Sequence, residues 1–211
     1  MTTTRAVLLD ALGTMIELEP PWLRLAIALG ERPDARIERA FRAEIAYYKA
    51  HADEGRDDAS LAGLRDRCAT ILSAELGREV SVEMMMASIR FRAYDDTEPA
   101  LAELRLRGLR LVCVSNWDVS LGEVLDRCGL AGYLDGVVTS AAAGASKPDP
   151  AIFERALSVA GCTAAEAIHV GDTALEDVAG ARAAGVQALL IDRAGRGEVA
   201  SLGEIVEHLR P

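Results

Sequence analysis

Asp10 follows four apolar residues, Ala6-Val7-Leu8-Leu9, and opens the stretch Asp10-Ala11-Leu12-Gly13-Thr14. A lone carboxylate at the carboxyl end of an apolar run can serve as a nucleophile or hold a cation. The same arrangement recurs along the chain. Ser115-Asn116 closes a second apolar run, Lys147-Pro148 lies just past a third, and Gly171-Asp172 closes a fourth. Asp10 and Asp172 together would make an all-oxygen site suited to Mg²⁺. Lys147 and the Ser115 hydroxyl could hold the other side of an anionic group. An aspartate, a hard cation and a lysine are the parts needed to move a phosphoryl group through a covalent aspartyl intermediate.

These residues can meet only if the runs are neighbouring parallel strands, because all their carboxyl ends then lie on one edge of a sheet. The pattern supports this. Residues 6–9, 109–114, 136–139, 167–170 and 186–191 read as buried strands, and from Thr97 onward they alternate with helical segments. Between the first strand and Thr97 lies a different block. Glu17 to Pro21 reads as a short polar hairpin or loop, and four amphipathic helices follow. They run through Trp22–Leu29, Ile37–Tyr48, Leu61–Leu72 and Val82–Ile89, with no strand among them. Gly77 is placed to end the third of them.

Composition narrows the class. In 211 residues half are hydrophobic, enough for a sizeable core, and the formal charge of -10 argues against nucleic acid or an anionic membrane as partner. A small, anionic substrate stays compatible, because a bound cation reverses the sign locally. The polar start and short first apolar run predict no signal peptide or membrane span. Cys68, Cys113, Cys128 and Cys162 have no metal-ligand spacing, so reduced thiols and a cytoplasmic location are expected. A monomer or homodimer is expected. Lys49 and Lys147 are the only lysines and Asn116 the only asparagine, so the position of Lys147 beside Pro148 carries weight.

The order Asp-x-x-Gly-Thr, Ser-Asn, Lys-Pro, Gly-Asp-x-x-x-x-Asp resembles the haloacid dehalogenase-like hydrolase superfamily, and it spans nearly the whole chain. The resemblance implies a three-layer α/β, Rossmann-like core of residues 1–18 and 95–211, with an α-helical cap, 19–94, inserted after the first motif. It further implies that Asp10 is the nucleophile, Ser115 binds the transferred group, and Lys147 steadies both. Asp172 and the Leu12 main-chain carbonyl would join Asp10 as Mg²⁺ ligands, with Asp177 supporting the metal. One position departs from the pattern. Phosphatases of the superfamily carry a second, acid/base Asp where this chain has Leu12, and leucine cannot transfer a proton. General acid catalysis is worth about 10²–10⁴-fold, so esters with good leaving groups should be favoured. The dehalogenase branch has no acid there either, but it uses no metal and has no Asp at the position of Asp172. An Mg²⁺-dependent phosphatase is therefore expected, ahead of a 2-haloacid dehalogenase or a non-catalytic ligand-binding protein.

Other candidates are weaker. Thr14, Asn116, Trp117, Tyr48 and His51 are candidate substrate contacts, and Arg42, Tyr47 and Lys49 share the polar end of the second helix. Trp117 equally suits packing at the junction of the two parts. His169 is expected to be a satisfied structural histidine, Met84 to Met86 to be packing residues, and Asp192 to cap a turn.

Overall fold

The structure, a computed structural model, describes residues 3–209. Along the chain, β1 (Ala6–Leu9) and β2 (Ile16–Leu18) precede four helices: α1 (Pro21–Ala28), α2 (Ala35–His51), α3 (Asp58–Leu76) and α4 (Val82–Ser88). Then come β3 (Phe91–Ala93), α5 (Thr97–Leu106), β4 (Arg110–Ser115), α6 (Leu121–Arg127) and β5 (Gly136–Thr139). The chain continues through α7 (Ser140–Ala143), α8 (Pro150–Ala160), β6 (Ala167–Gly171), α9 (Gly180–Ala183), β7 (Gln187–Leu190) and α10 (Leu202–His208).

Five strands form one parallel sheet in the order β5-β4-β1-β6-β7. β1 is central and its four side chains are fully buried, because both faces are covered. The strand period of two sorts them. Val7 and Leu9 pack in the layer with α5, α6 and α10, while Ala6 and Leu8 pack against α8 and α9. Each such buried leucine is worth about 2 kcal/mol of transfer free energy. This α/β sandwich is the expected class. Its consequence for the site is positional: β4 and β6 flank β1, so the residues ending these three strands sit side by side on one edge.

The helical block has a core of its own, in which Phe41 of α2, Leu64 and Leu72 of α3 and Met85 of α4 are buried together. Capping explains where the helices begin and end. The Asp34 carboxylate accepts from the Arg36 and Ile37 amides at 2.9 Å each, Asp57 and Ser60 form a reciprocal capping box, and Gly77 closes α3.

Two expectations are corrected here. The segment 19–94 is not strand-free, since Phe91–Ala93 forms β3, and Glu17 and Leu18 lie in a strand whose partner is this distant segment, not in a local hairpin or loop. β2 and β3 pair antiparallel as a two-stranded ribbon. Neither three-residue segment shows a usable alternation alone; each becomes a strand because the other lies beside it. A further feature follows Asp172, where the chain enters a helical segment. Residues 174–179 form a wide π-type turn before α9, with the Asp177 and Val178 amides both bonded to the Thr173 carbonyl. Among the described residues, no helix is long and apolar enough to cross a membrane.

Candidate active site

The edge formed by the ends of β1, β4 and β6 collects the polar residues that end the apolar runs. Asp10 leaves β1 with its amide bonded to the Val170 carbonyl at 2.9 Å, which ties it to β6. Its Oδ1 accepts from Ser115 Oγ at 3.0 Å and from Lys147 Nζ at 2.6 Å. Its Oδ2 lies 3.4 Å from Thr14 Oγ1. Lys147 is only 4% exposed. It reaches the edge because Asn116 grips its main chain: Asn116 Oδ1 accepts from the Lys147 amide at 2.7 Å, and Asn116 Nδ2 donates to the Lys147 carbonyl at 3.0 Å.

Lys147 Nζ also donates to Asp177 Oδ1, at 2.5 Å, so one ammonium bridges two carboxylates. Burial alone would lower the Lys147 pKa, but Asp10 and Asp177 outweigh it and hold the ammonium above the usual lysine range. Burial alone would raise Asp177. The hydrogen bond from His169 and the charge of Lys147 prevail and hold it well below the usual carboxylate range. His169 Nε2 lies 3.0 Å from Asp177 Oδ1, and Phe153 packs edge-on against the ring. The Thr173 amide donates to Asp177 Oδ2 at 3.0 Å. Asp177 is therefore already satisfied by a lysine, a histidine and an amide. It holds Lys147 in place while remaining within the carboxylate cluster.

Asp172 is in the opposite condition. Oxygens of Asp10, Asp172 and Asp177 lie within 4.8 Å of one another, three carboxylates against one ammonium. Asp172 has no cation of its own, and its one hydrogen bond in the site is from Thr173 Oγ1, at 3.1 Å. Crowding by protein, then the charges of Asp10 and Asp177, push its carboxyl up to about 6. An all-oxygen donor set with this unrelieved repulsion fits a hard divalent cation.

The titration gives a signed expectation. Because the folded-state pKa is raised, deprotonating Asp172 in the metal-free protein costs stability as pH rises through about 6. A bound cation should replace the proton. The Mg²⁺-induced rise in melting temperature should be small at pH 5 and grow on going to pH 8. A rise that is equal at both would remove Asp172 from the cation site.

Two glycines make this crowding possible. At Gly13, with φ +87°, an added Cβ would stand 2.1 Å from Asp172 Oδ2. At Gly171 it would stand 2.1 Å from Asp177 Cγ. Gly171→Ala should therefore dislodge the Asp177 carboxyl from Lys147 and cost about 3 kcal/mol or more. Urea denaturation measures this, and a loss below about 1 kcal/mol would mean that the anchor tolerates displacement.

Over the edge lies a cavity of about 1240 Å³. Asp10, Leu12, Ser115, Lys147 and Asp172 line one end, and the helical block supplies Phe41, Glu44, Tyr48 and Met85. Asn116 and Trp117 also line it, although the Asn116 amide is committed to Lys147 and to Glu176 Oε2, at 3.2 Å. Trp117 is 6% exposed and packs on Phe91, so it both lines and plugs. Tyr48 reaches across from α2 to donate to Asp118 Oδ2 at 2.7 Å.

Two proposed substrate contacts are not brought to the cavity wall. His51 stacks on Tyr47 and lies 2.7 Å from the Tyr47 carbonyl, because the end of α2 turns it back on its own helix. Thr14 is fully buried, with its hydroxyl 3.4 Å from the Asp10 carboxylate. Of the other residues on that helix, Lys49 lines the cavity, Arg42 pairs with Glu38, and Tyr47 bonds Arg67. Met85 is buried, and Asp192 caps a turn through the Ala194 amide. Sequence reasoning missed Thr173, Asp118 and Glu44. Only Glu44 left a signal, an acid at helical spacing between Phe41 and Tyr48.

Comparison with known proteins bears on this arrangement. The family profile described as haloacid dehalogenase-like hydrolase matches residues 4–185. A human haloacid dehalogenase-like hydrolase domain-containing protein 3 is 45% identical over 101 residues, which cover 48% of this chain and 40% of the relative. A phosphoserine phosphatase of Thermus thermophilus is 40% identical over 125 residues, 59% of this chain and 50% of the relative. The matches thus span half or less of these relatives' lengths. A phosphatase structure from Thermococcus onnurineus superposes with TM-score 0.68 at 28% identity, covering 98% of both chains. The L-2-haloacid dehalogenase RSc1362 superposes with TM-score 0.76 at 21% identity, covering 100% of each, a likeness of fold alone.

Proposed function

The chain belongs to the haloacid dehalogenase-like hydrolases, and from that premise we propose that it is an Mg²⁺-dependent phosphatase acting on a small organic phosphate. One observation carries this reading. Asp10 and Asp172 share a pocket in which the single ammonium of Lys147 bridges Asp10 and Asp177 and none pairs with Asp172, so the cluster keeps an excess negative charge that a cation would balance. Asp10, Asp172 and the Leu12 carbonyl would hold Mg²⁺, with Asp177 keeping Lys147 in place. The ion would neutralise carboxylate charge and polarise the phosphoryl oxygens.

The chain's own residues then account for the chemistry. An Asp10 carboxylate oxygen attacks phosphorus, and the bond from phosphorus to the leaving oxygen breaks. Lys147 and Ser115 hold the transferred group's negative charge in a buried setting where such contacts are strong. The leaving oxygen takes a proton from water, since Leu12 has none to give. Water then attacks the phosphorus of the aspartyl phosphate, releasing inorganic phosphate and regenerating Asp10. The helices of residues 19–94 would act as the cap that excludes bulk water from the edge.

Phosphate release from an aryl phosphate, with and without a chelator, tests the reading: turnover should require Mg²⁺. Leu12→Asp should raise kcat/KM on alkyl phosphates by about 10²-fold or more, while gaining little on aryl esters whose leaving groups need no acid. No gain on alkyl esters would mean that another group already supplies the proton. Leu12 and the apolar walls favour a second reading, attack of Asp10 on a halogen-bearing carbon, which would free halide in the presence of chelator. A ligand-binding protein without turnover would do neither.

A further inference from the structure

Among the described residues, Glu44 is the only buried acidic side chain of the helical block, at 3% exposure. It lies on α2 three residues after Phe41 and four before Tyr48, so the three share a helix face, and all three line the cavity that Asp10 opens into. Its hydrogen-bond partner is the Cys68 thiol, a weak donor. Among the described residues no ion pair reaches it, although Lys49 and Arg65 line the same cavity. It caps no helix. An apolar side chain here would complete the stripe of Ile37, Phe41 and Tyr48 without the cost of desolvating a carboxyl. Burial pushes that carboxyl up to about 7, which measures how little the protein itself offers the charged form.

The cavity therefore has two unlike ends. At the sheet edge Lys147 and Ser115 favour an anion. At the helical end stands a carboxyl that, among the described residues, forms no ion pair, and the rings of Tyr48, Phe91 and Trp117 line the wall. A carboxyl and aromatic faces both favour a cation and both disfavour a second anion.

We propose that Glu44 is the recognition point for a protonated amine on the leaving group, so that the substrate is a phosphate monoester with an apolar body and a terminal ammonium. The phosphate lies at Asp10 and the ammonium at Glu44. This rests on the phosphatase reading of the Asp10 end.

Two aryl esters that differ only in the amine make the test: tyramine phosphate and para-ethylphenyl phosphate, each assayed with Mg²⁺. The wild-type protein should favour the amine ester in kcat/KM by about 10- to 100-fold, the range for a hydrogen bond to a charged group. In Glu44→Gln that ratio should fall towards unity, chiefly through KM. Glu44→Leu, which fills the apolar stripe and should fold at least as well, should give the same result. A wild-type ratio near unity, or a ratio kept in both variants, overturns the proposal. If neither ester is hydrolysed, the phosphatase reading fails, and thermal shift with the free alcohols decides the Glu44 site by itself. Tyramine should then raise the melting temperature of the wild type and not of the variants, while para-ethylphenol should not. An equal response to both alcohols overturns the site.

Discussion

Asp10→Asn should reduce Mg²⁺-dependent hydrolysis of an aryl phosphate by about 10⁴-fold or more, because an amide oxygen is a poor nucleophile and cannot form the aspartyl intermediate. The change is close to isosteric. Ser115 Oγ, 3.0 Å from Oδ1, can still donate to an amide oxygen, so the local geometry has no reason to collapse. Removing one of three crowded carboxylates also relieves Asp172, whose pKa is raised in part by the charge of Asp10. The variant should thus be inactive but at least as stable as the parent when no Mg²⁺ is added. Steady-state kinetics and a melting curve check the two halves. Appreciable residual turnover would show that another group attacks phosphorus.

Lys147→Met should damage both activity and stability. The methionine fills much the same volume, but it leaves Asp10 and Asp177 without the ammonium that bridges them at 2.6 and 2.5 Å. Removing the one cation of this network should cost about 3–5 kcal/mol, because Asp10 and Asp177 then stay buried, with Asp172 beside them and no partner of opposite sign. Loss of a group that stabilises developing negative charge should lower kcat by about 10²–10³-fold. Mg²⁺ should rescue part of the stability of this variant, since the ion would then be the sole positive charge among three carboxylates. Urea denaturation with and without Mg²⁺ measures this. A loss under about 1 kcal/mol would mean that water reaches these carboxylates more freely than their burial implies.

The polar edge of the sheet was legible in the sequence for a simple reason. Asp10, Ser115 and Asp172 each end an apolar run, and a parallel sheet brings such ends together. Lys147 was legible from its rarity and from Pro148. What these residues do to one another was less legible. Asp177, expected to support the metal, also binds Lys147 and His169, and Asn116, a candidate substrate contact that lines the cavity, also holds the Lys147 main chain. Both are pairings between distant segments, which no local pattern encodes. β2 and β3 escaped notice likewise, since strands of three residues exist by virtue of their partner. His51 failed for the converse reason: polarity at a helix end does not say towards which neighbour the ring turns.

The β2–β3 ribbon also limits how the helices can travel. Two unpaired linkers would allow them to swivel freely, like a weight on two strings. Here the outgoing and returning chains are laced together at Ile16–Ala93, Glu17–Arg92 and Leu18–Phe91, which resists twist and sliding and leaves flexing across the plane of the ribbon as the soft direction. Phe91, at one end of that lacing, lies against Trp117, two residues beyond Ser115. Any such tilt would therefore be felt first in the aromatic wall, before it reaches the carboxylates beneath.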